Sequence, residues 1–204
     1  MIALGLNFFA LGTSRVSAVI HAVAWQGVIL GTLPLLAEPR VDWRLLLLVA
    51  ATVALKGFVI PTLLLKAVRE ANIQHVVRPL VGFIFGLILG AVGTGLAMVF
   101  AGHFPLDRQD SSSLILPASL STVLTGFLIL TTRRTAINQV LGYLLLENGI
   151  FIFGLLILEA VPFLVEIGVL LDLFTGVFVM GIIIHHISRE FPSASTEFLS
   201  ELKE

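Results

Sequence analysis

Long apolar stretches alternate with short polar segments along this chain of 204 residues. A helix that crosses a bilayer needs about 20 mostly apolar residues, within a range of roughly 17–25. By this measure the pattern predicts seven helices, at residues 1–13, 16–37, 43–65, 79–101, 114–132, 136–159 and 163–186. The first is too short to span on its own, so it is either a partial span or begins further upstream. Barrel strands need only about 9–11 residues, so the pattern predicts an all-α, polytopic membrane helical bundle of about seven transmembrane helices.

The composition also indicates a membrane protein. Charged residues make up 12% of the chain, whereas they make up about 25% of an ordinary soluble domain. The net charge of −1 gives no reason to expect a nucleic-acid partner. The absence of cysteine excludes disulfides, iron–sulfur clusters and thiolate metal sites formed by this chain. Because the histidines are scattered in depth and no catalytic triad, phosphate loop or redox motif occurs, we predict a non-catalytic chain without metal or cofactor.

The basic residues predict the orientation of the chain. Alternate polar segments place eight Lys and Arg on one side of the membrane and three on the other. The richer side holds Arg15, Lys66, Arg69, Arg78, Arg133, Arg134, Arg189 and Lys203, and the poorer side holds Arg40, Arg44 and Arg108. Since cytoplasmic loops carry the excess of basic residues, seven spans place the C-terminus in the cytoplasm and the N-terminus outside. If the first segment does not span, the N-terminus is cytoplasmic instead.

Two short motifs recur at a similar interval. Residues 11–15 (Leu-Gly-Thr-Ser-Arg) resemble 130–134 (Leu-Thr-Thr-Arg-Arg), and 68–70 (Val-Arg-Glu) resemble 188–190 (Ser-Arg-Glu), at offsets of 119 and 120. Motifs this short also recur by chance. If they mark an internal repeat, two parallel three-helix units are joined by one spacer helix. The predicted domains are then a first unit at 1–75, a spacer helix and outer loop at 76–113, a second unit at 114–190 and a cytoplasmic tail at 191–204.

The predicted fourth helix carries Gly82, Gly86 and Gly90 at four-residue spacing. Small residues on one face of a membrane helix allow another backbone to approach closely. We therefore predict helix packing along this stripe, either within the chain or against another subunit.

Three ionisable residues lie near the predicted midplane: Lys56, Glu147 and Asp172. They fall about 13, 11 and 9 residues into their segments, so at ~1.5 Å per residue they share a layer a few ångström deep. An ionisable side chain at the centre of a membrane helix costs about 2.5–3.5 kcal/mol on insertion scales, so it needs a partner, a wet cavity or a proton. Glu147 stands near the middle of residues 138–158, which makes this stretch the most informative part of the chain.

These residues support two interpretations. Two carboxylates close together in a low dielectric do not readily both stay ionised, so Glu147 and Asp172 are candidates for binding and releasing a proton. The alternative is that Glu147 and Lys56 form a buried ion pair that only stabilises the bundle.

Two further features bear on an ion path. Lys56 is followed by Gly57 and, five residues after the lysine, by Pro61, whose ring cannot donate the usual helix hydrogen bond to the Gly57 carbonyl. A kink and a free carbonyl beside an ammonium suit an ion path, although proline is also ordinary in membrane helices. His21, about one turn into the second helix, is a further candidate on the path, but a lone histidine is more often a packing residue.

Residues 137–154 (Ile-Asn-Gln-Val-Leu-Gly-Tyr-Leu-Leu-Leu-Glu-Asn-Gly-Ile-Phe-Ile-Phe-Gly), preceded by 131–134 (Thr-Thr-Arg-Arg), resemble the E component of hydrogenase-4. They are more distantly similar to the small three-helix subunit of respiratory complex I and to its counterpart, the C component, in Mrp-type sodium/proton antiporters. The resemblance is strongest over 114–187 and extends by length and hydropathy to nearly the whole chain. It implies that Glu147 matches the intramembrane glutamate of the family's middle helix, on the path of coupled proton movement, with Asp172 as the candidate second acid.

The resemblance also implies partners and a location. It predicts a subunit of a redox-driven complex like a membrane-bound [NiFe]-hydrogenase or formate hydrogenlyase, in the cytoplasmic membrane of a bacterium or archaeon. Antiporter-like membrane subunits would flank this chain, and a soluble [NiFe]-hydrogenase-like arm would hold the metal centres. Three functional interpretations stay open: a subunit that contributes Glu147 to proton or sodium transfer, a membrane scaffold without direct ion transfer, and a small stand-alone transporter.

Overall fold

A computed structural model describes residues 1–37, 42–70, 80–103, 114–155, 167–168 and 170–181. Its helices in chain order are α1 (Ile2–Gly12), α2 (Val16–Thr32), α3 (Pro34–Ala37), α4 (Trp43–Ala54), a π-helical turn (Leu55–Val59), α5 (Ile60–Glu70), α6 (Phe83–His103), α7 (Ile115–Thr132), α8 (Ala136–Gly154) and α9 (Leu170–Gly181). No strand occurs in these residues. The prediction of an all-α bundle is confirmed.

Five helical stretches of the described residues are long and apolar enough to cross a membrane. They are Val16–Leu36, Trp43–Arg69, Phe83–Gly102, Ile115–Thr132 and Ala136–Gly154. The two shorter apolar helices are α1 and α9. With 11 residues, α1 is about 16 Å long, which is shorter than the hydrocarbon core of a bilayer at about 30 Å. The sequence predicts that this helix is too short to span on its own. The chain is therefore a multi-pass membrane protein.

The described helices agree with the predicted segments to within a few residues, with one extension, and the predicted boundaries at 159, 163 and 186 lie outside the described residues. The third span continues beyond its predicted end at residue 65 to Arg69. A basic side chain in the last turn interacts favourably with the helix dipole, which explains why the helix does not end with the apolar run. The predicted loops around 71–79 and 104–113 and the predicted tail at 191–204 lie outside the described residues.

Helix α8 lies at the centre of the bundle and α6 at its edge. Of the α8 span, 67% is buried, compared with 17% of the α6 span. The apolar core joins α2, α5 and α8 through residues such as Ile20, Leu64 and Leu141. The helix that carries Glu147 is thus surrounded by the rest of the chain, whereas α6 presents most of its apolar surface outward.

Helices α7 and α8 pack with their backbones in contact. A Cβ added at Gly126 would lie 2.7 Å from the backbone nitrogen of Leu146, and one added at Gly149 would lie 2.6 Å from that of Val123. Contacts this short leave no space for any side chain, so glycine is required where the two helices cross. The sequence analysis did not single out these glycines.

The predicted glycine stripe on α6 divides into two parts. At Gly90 an added Cβ would lie 2.5 Å from Cδ1 of Leu11, so this glycine accommodates α1. At Gly82 and Gly86 an added Cβ would meet no described atom within 4 Å. Within the described part of the chain, packing along the stripe is therefore limited to Gly90, and packing against another subunit at Gly82 and Gly86 remains a prediction.

The helix boundaries recur at an interval of 120 residues. Helices α1 and α7 end at Gly12 and Thr132, and α2 and α8 begin at Val16 and Ala136. The bonds that close the first helix of each pair also correspond: Thr13 N–H donates to Phe9 O at 3.0 Å, and Arg133 N–H donates to Ile129 O at 3.1 Å. These equal intervals support the internal repeat, which we retain as a proposal.

Candidate ion-path site

The structure brings the three predicted midplane residues together. Lys56 Nζ lies 2.9 Å from Oε1 of Glu147 and 3.7 Å from Oδ1 of Asp172. All three are buried: Lys56 is 7% exposed, Glu147 5% and Asp172 0%. The ammonium comes from the π-helical turn, one carboxylate from α8 and the other from α9, so the cluster joins three separate helical segments.

The local backbone explains how Lys56 enters the core. Lys56 lies in the π-helical turn that precedes Pro61, where the proline ring removes one backbone donor. A π turn inserts one additional residue into a helix and changes the direction of the side chains that follow, and such turns are frequent at functional sites. The π turn lies at the position of the predicted kink. On the facing helix, a Cβ at Gly27 would lie 2.8 Å from Cδ of Lys56, so this glycine provides the space for the lysine stem.

The cluster contains more acidic than basic groups. Two carboxylates face one ammonium, so the cluster is neutral when it also holds one proton or another monovalent cation. In the described part of the chain, Oε2 of Glu147 and both carboxyl oxygens of Asp172 are buried without a hydrogen-bond partner. Both carboxylates therefore share one ammonium, at 2.9 Å for Glu147 and 3.7 Å for Asp172, and the cluster holds one more acid than base.

A chain of hydrogen bonds extends from Lys56 to the first helix. Lys56 Nζ donates to Oδ1 of Asn148 at 3.1 Å, and Nδ2 of Asn148 donates to Oε1 of Gln26 at 3.2 Å. Nε2 of Gln26 then donates to Oδ1 of Asn7 at 3.0 Å, and Nδ2 of Asn7 donates to Oγ1 of Thr122 at 2.8 Å. All of these side chains are buried. This series of hydrogen bonds crosses five helical segments, and the charged cluster lies at one end of it.

A small cavity adjoins the lysine. Its volume is about 10 Å³, and its lining includes Lys56 and Asn148 together with apolar side chains such as Ile20 and Leu64. A cavity of this size holds roughly one water molecule. Ile20 lies near the start of α2 and Leu64 near the end of α5, so the cavity lies on the side of Lys56 that the basic residues predict to be cytoplasmic.

The other predicted path residue, His21, is not brought into the cluster. It is exposed on α2, and its Nδ1 lies 2.7 Å from the carbonyl oxygen of Ser17 in its own helix. Its place on an ion path stays a prediction without support from this geometry. No group of three His, Cys, Asp or Glu that could hold a metal ion occurs among the described residues.

Sequence reasoning missed the buried arginine at the end of α7. Arg133 is 2% exposed, and its Nη2 donates to the carbonyl oxygens of Ala10 at 2.7 Å and Leu11 at 3.4 Å. These carbonyls belong to the last turn of α1, where a cation is favourable. Burial lowers the pKa of Arg133 to about 10, so the guanidinium stays charged at neutral pH. The sequence identifies it only as a basic loop residue, because the direction of its side chain cannot be read from its position.

Known proteins resemble this chain over most of its length. It is 35% identical over 192 residues to "Uncharacterized protein Rv0085" of Mycobacterium tuberculosis, an alignment that covers 92% of this chain and 86% of the relative. It is 26% identical over 160 residues to hydrogenase-4 component E of Escherichia coli K12 and of Shigella flexneri, covering 78% of this chain and 74% of each relative. No family model matches the chain, and no solved structure does. The chain belongs to the same family as Rv0085 and is a distant homologue of hydrogenase-4 component E.

Proposed function

We propose that this chain is a membrane subunit of a hydrogenase-4-type complex, and that its Lys56–Glu147–Asp172 cluster takes part in transfer of a proton or a sodium ion. The distant relationship to hydrogenase-4 component E supports the membership of such a complex. As partners we propose antiporter-like membrane subunits and, through them, a soluble arm of the [NiFe]-hydrogenase type. We propose a cytoplasmic membrane with the C-terminus of the chain in the cytoplasm.

The observation that supports ion transfer is the unequal charge of the cluster. A single structural ion pair needs one acid for one base, yet Lys56 pairs both with Glu147, at 2.9 Å, and with Asp172, at 3.7 Å. Asp172 is fully buried and shares its ammonium with Glu147. Its burial without a cation of its own is expensive. A site that gains and loses one positive charge during turnover explains why this acid is present.

The test is Glu147→Gln in the assembled complex. Glutamine retains the size and a hydrogen-bond acceptor for Lys56 but cannot exchange a proton near neutral pH. We expect the complex to assemble and to keep its redox activity, while the number of ions translocated per electron falls several-fold. Glu147→Asp, which retains the carboxyl group, should recover part of the coupling. Ion translocation at the wild-type ratio by Glu147→Gln would refute the proposal.

The alternative of a membrane scaffold is favoured by a different observation, the outward-facing surface of α6. A Cβ added at Gly86 would meet no described atom within 4 Å, and only 17% of the apolar stretch of this helix is buried within the chain. A scaffold predicts that Glu147→Gln has no effect while Gly86→Leu prevents assembly. A small stand-alone transporter predicts instead that the chain is stable and active when expressed alone. Purification in mild detergent separates these cases, because the proposed subunit should copurify with a nickel-containing partner.

A further inference from the structure

The hydrogen bonds between Lys56 and Thr122 all have the same direction. Each side-chain amide presents its oxygen toward Lys56 and its nitrogen away from it: first Asn148, then Gln26, then Asn7. Thr122 accepts the last of these bonds and donates its own hydroxyl hydrogen to the carbonyl oxygen of Ala118 at 2.7 Å. The dipoles of three consecutive amides are thus aligned.

The groups at the two ends of this series determine which way each amide is oriented. An ammonium can only donate hydrogen bonds, so Asn148 must present its oxygen to Lys56. A backbone carbonyl can only accept, so the Thr122 hydroxyl must donate to Ala118 and its oxygen must accept from Asn7. The second N–H of Gln26 is directed to another carbonyl, that of Ala3, at 3.3 Å. Rotating any one amide by 180° would place two donors or two acceptors against each other.

We propose that Asn148, Gln26 and Asn7 are positioning residues that keep Lys56 in its ammonium form and prevent protons from leaving the cluster toward α1. Aligned amide oxygens stabilise a positive charge at the end they face, and linked hydrogen bonds polarise one another. A carboxamide donates and accepts hydrogen bonds but has no group that titrates near neutral pH, so it does not pass a proton on. This inference deepens the proposed function and rests on it for its role in ion transfer.

Lys56 interacts with charged groups as well as with the amide series. Glu147 faces the ammonium from α8 and Asp172 from α9, and Tyr143 lies one turn before Glu147 on α8. From α2 the described contacts with Lys56 involve Gly27, which packs against its stem and carries no charge. If one of the two carboxylates takes up a proton during turnover, less negative charge remains beside Lys56. The favourable interaction with the amide series stays the same when this happens. The transported positive charge is therefore gained and lost by the acids, while the lysine stays charged.

The protonation of Lys56 can be measured without measuring ion transfer. Only a neutral amine reacts with acetic anhydride, so the acetylation rate of Lys56 rises with pH to a plateau. The pH at the midpoint of this rise reports the charge of Lys56, and the rate at the plateau reports its accessibility. The complex is labelled in native membranes, and peptides are quantified by mass spectrometry with Lys66 of the same chain as the reference.

Gln26→Met removes the central amide at similar volume. Gln139→Met is the matched control, because this glutamine donates to the carbonyls of Leu130 and Arg133.

We expect the Gln26→Met midpoint for Lys56 to fall by about half a pH unit, a roughly threefold change in proton activity, because Asn148 loses the hydrogen bond that holds its oxygen toward the ammonium. Asn7→Ser, which is further from Lys56 and retains a small polar side chain, should lower it by less, and Gln139→Met should leave it unchanged. Asn7→Ser decides the matter if Gln26→Met does not assemble. Unchanged midpoints in the amide variants, or an equal fall in Gln139→Met, would overturn the inference. A lowered midpoint combined with wild-type ion transfer in Glu147→Gln would support the role of the amides and refute the proposed function instead.

Discussion

Replacing Lys56 with methionine removes the only positive charge that the described structure places beside Glu147 and Asp172. Methionine is close to lysine in length and unbranched, so the apolar contacts of the stem, including those at Gly27, are largely retained. The change therefore isolates the electrostatic effect. Two buried carboxylates then remain without an ammonium, and we expect the variant to be substantially less stable than the wild-type chain.

The size of the effect follows from the burial of the pair. Removing one partner of a buried ion pair costs about 3–5 kcal/mol, because the remaining charge stays uncompensated. For a chain of this length, each kcal/mol shifts the melting temperature by roughly 2–4 °C, which predicts a decrease of roughly 6–20 °C.

The measurement is the temperature at which the complex, solubilised in mild detergent, loses its monodisperse peak in size-exclusion chromatography, followed by a fluorescent tag on this chain. The informative comparison is the double variant Lys56→Met with Glu147→Gln, which removes one of the uncompensated carboxylates. If charge imbalance causes the instability, the double variant should recover at least half of the lost stability. A double variant as unstable as the sum of the two single changes, or a Lys56→Met chain that is as stable as wild type at every pH, would contradict the electrostatic explanation.

Three further predictions concern the packing of the bundle. Gly126→Ala should lower the stability of the chain by about 1–3 kcal/mol, because its Cβ overlaps the backbone of Leu146, whereas Gly95→Ala, whose Cβ would meet no described atom within 4 Å, should have no effect in the same thermal assay. Arg133→Met should lower stability by about 1.5–3 kcal/mol through loss of charged hydrogen bonds to α1, while the exposed Arg134→Met should not. Gly86→Leu should reduce the copurification of the chain with partner subunits.

Each of these predictions can fail independently. Equal melting temperatures for the two alanine variants would show that the contact between α7 and α8 adjusts at little cost. Equal effects of the two arginine variants would mean that net charge, and not the bond to Ala10, determines the outcome. A normal yield of partner subunits with Gly86→Leu would show that no other helix backbone approaches α6 at this glycine.

The sequence predicts the depth of the charged residues but not the directions of the helix faces. Lys56, Glu147 and Asp172 fall in one predicted layer because each helical residue advances by a fixed rise, and the structure brings all three into contact. The polar partners Asn7 and Gln26 are not recognisable as part of the same network, since the rotation of a mostly apolar helix is determined by packing against its neighbours. Asn148 follows Glu147 directly, yet nothing in its position indicates that it faces Lys56.

The glycines show the same limit. A regular spacing draws attention to Gly82, Gly86 and Gly90, of which only Gly90 accommodates a neighbour in the described part of the chain. Equally close backbone contacts involve Gly126 and Gly149, which stand on different helices and form no pattern along the chain. A close approach of two backbones depends on both helices at once, so spacing on one helix identifies where it is possible but not where it occurs.

The backbone contact between α7 and α8 has a consequence for how any motion in this protein would be measured. A pair of helices that touch at Gly126, Gly142 and Gly149 has no spare distance for sliding or rotation, so we expect the hairpin to move as one body. Spectroscopic labels on both of its helices should therefore report a constant separation throughout a reaction cycle. A label pair with one member on this hairpin and the other on the segment that carries Lys56 would report the displacement of that lysine against a fixed frame.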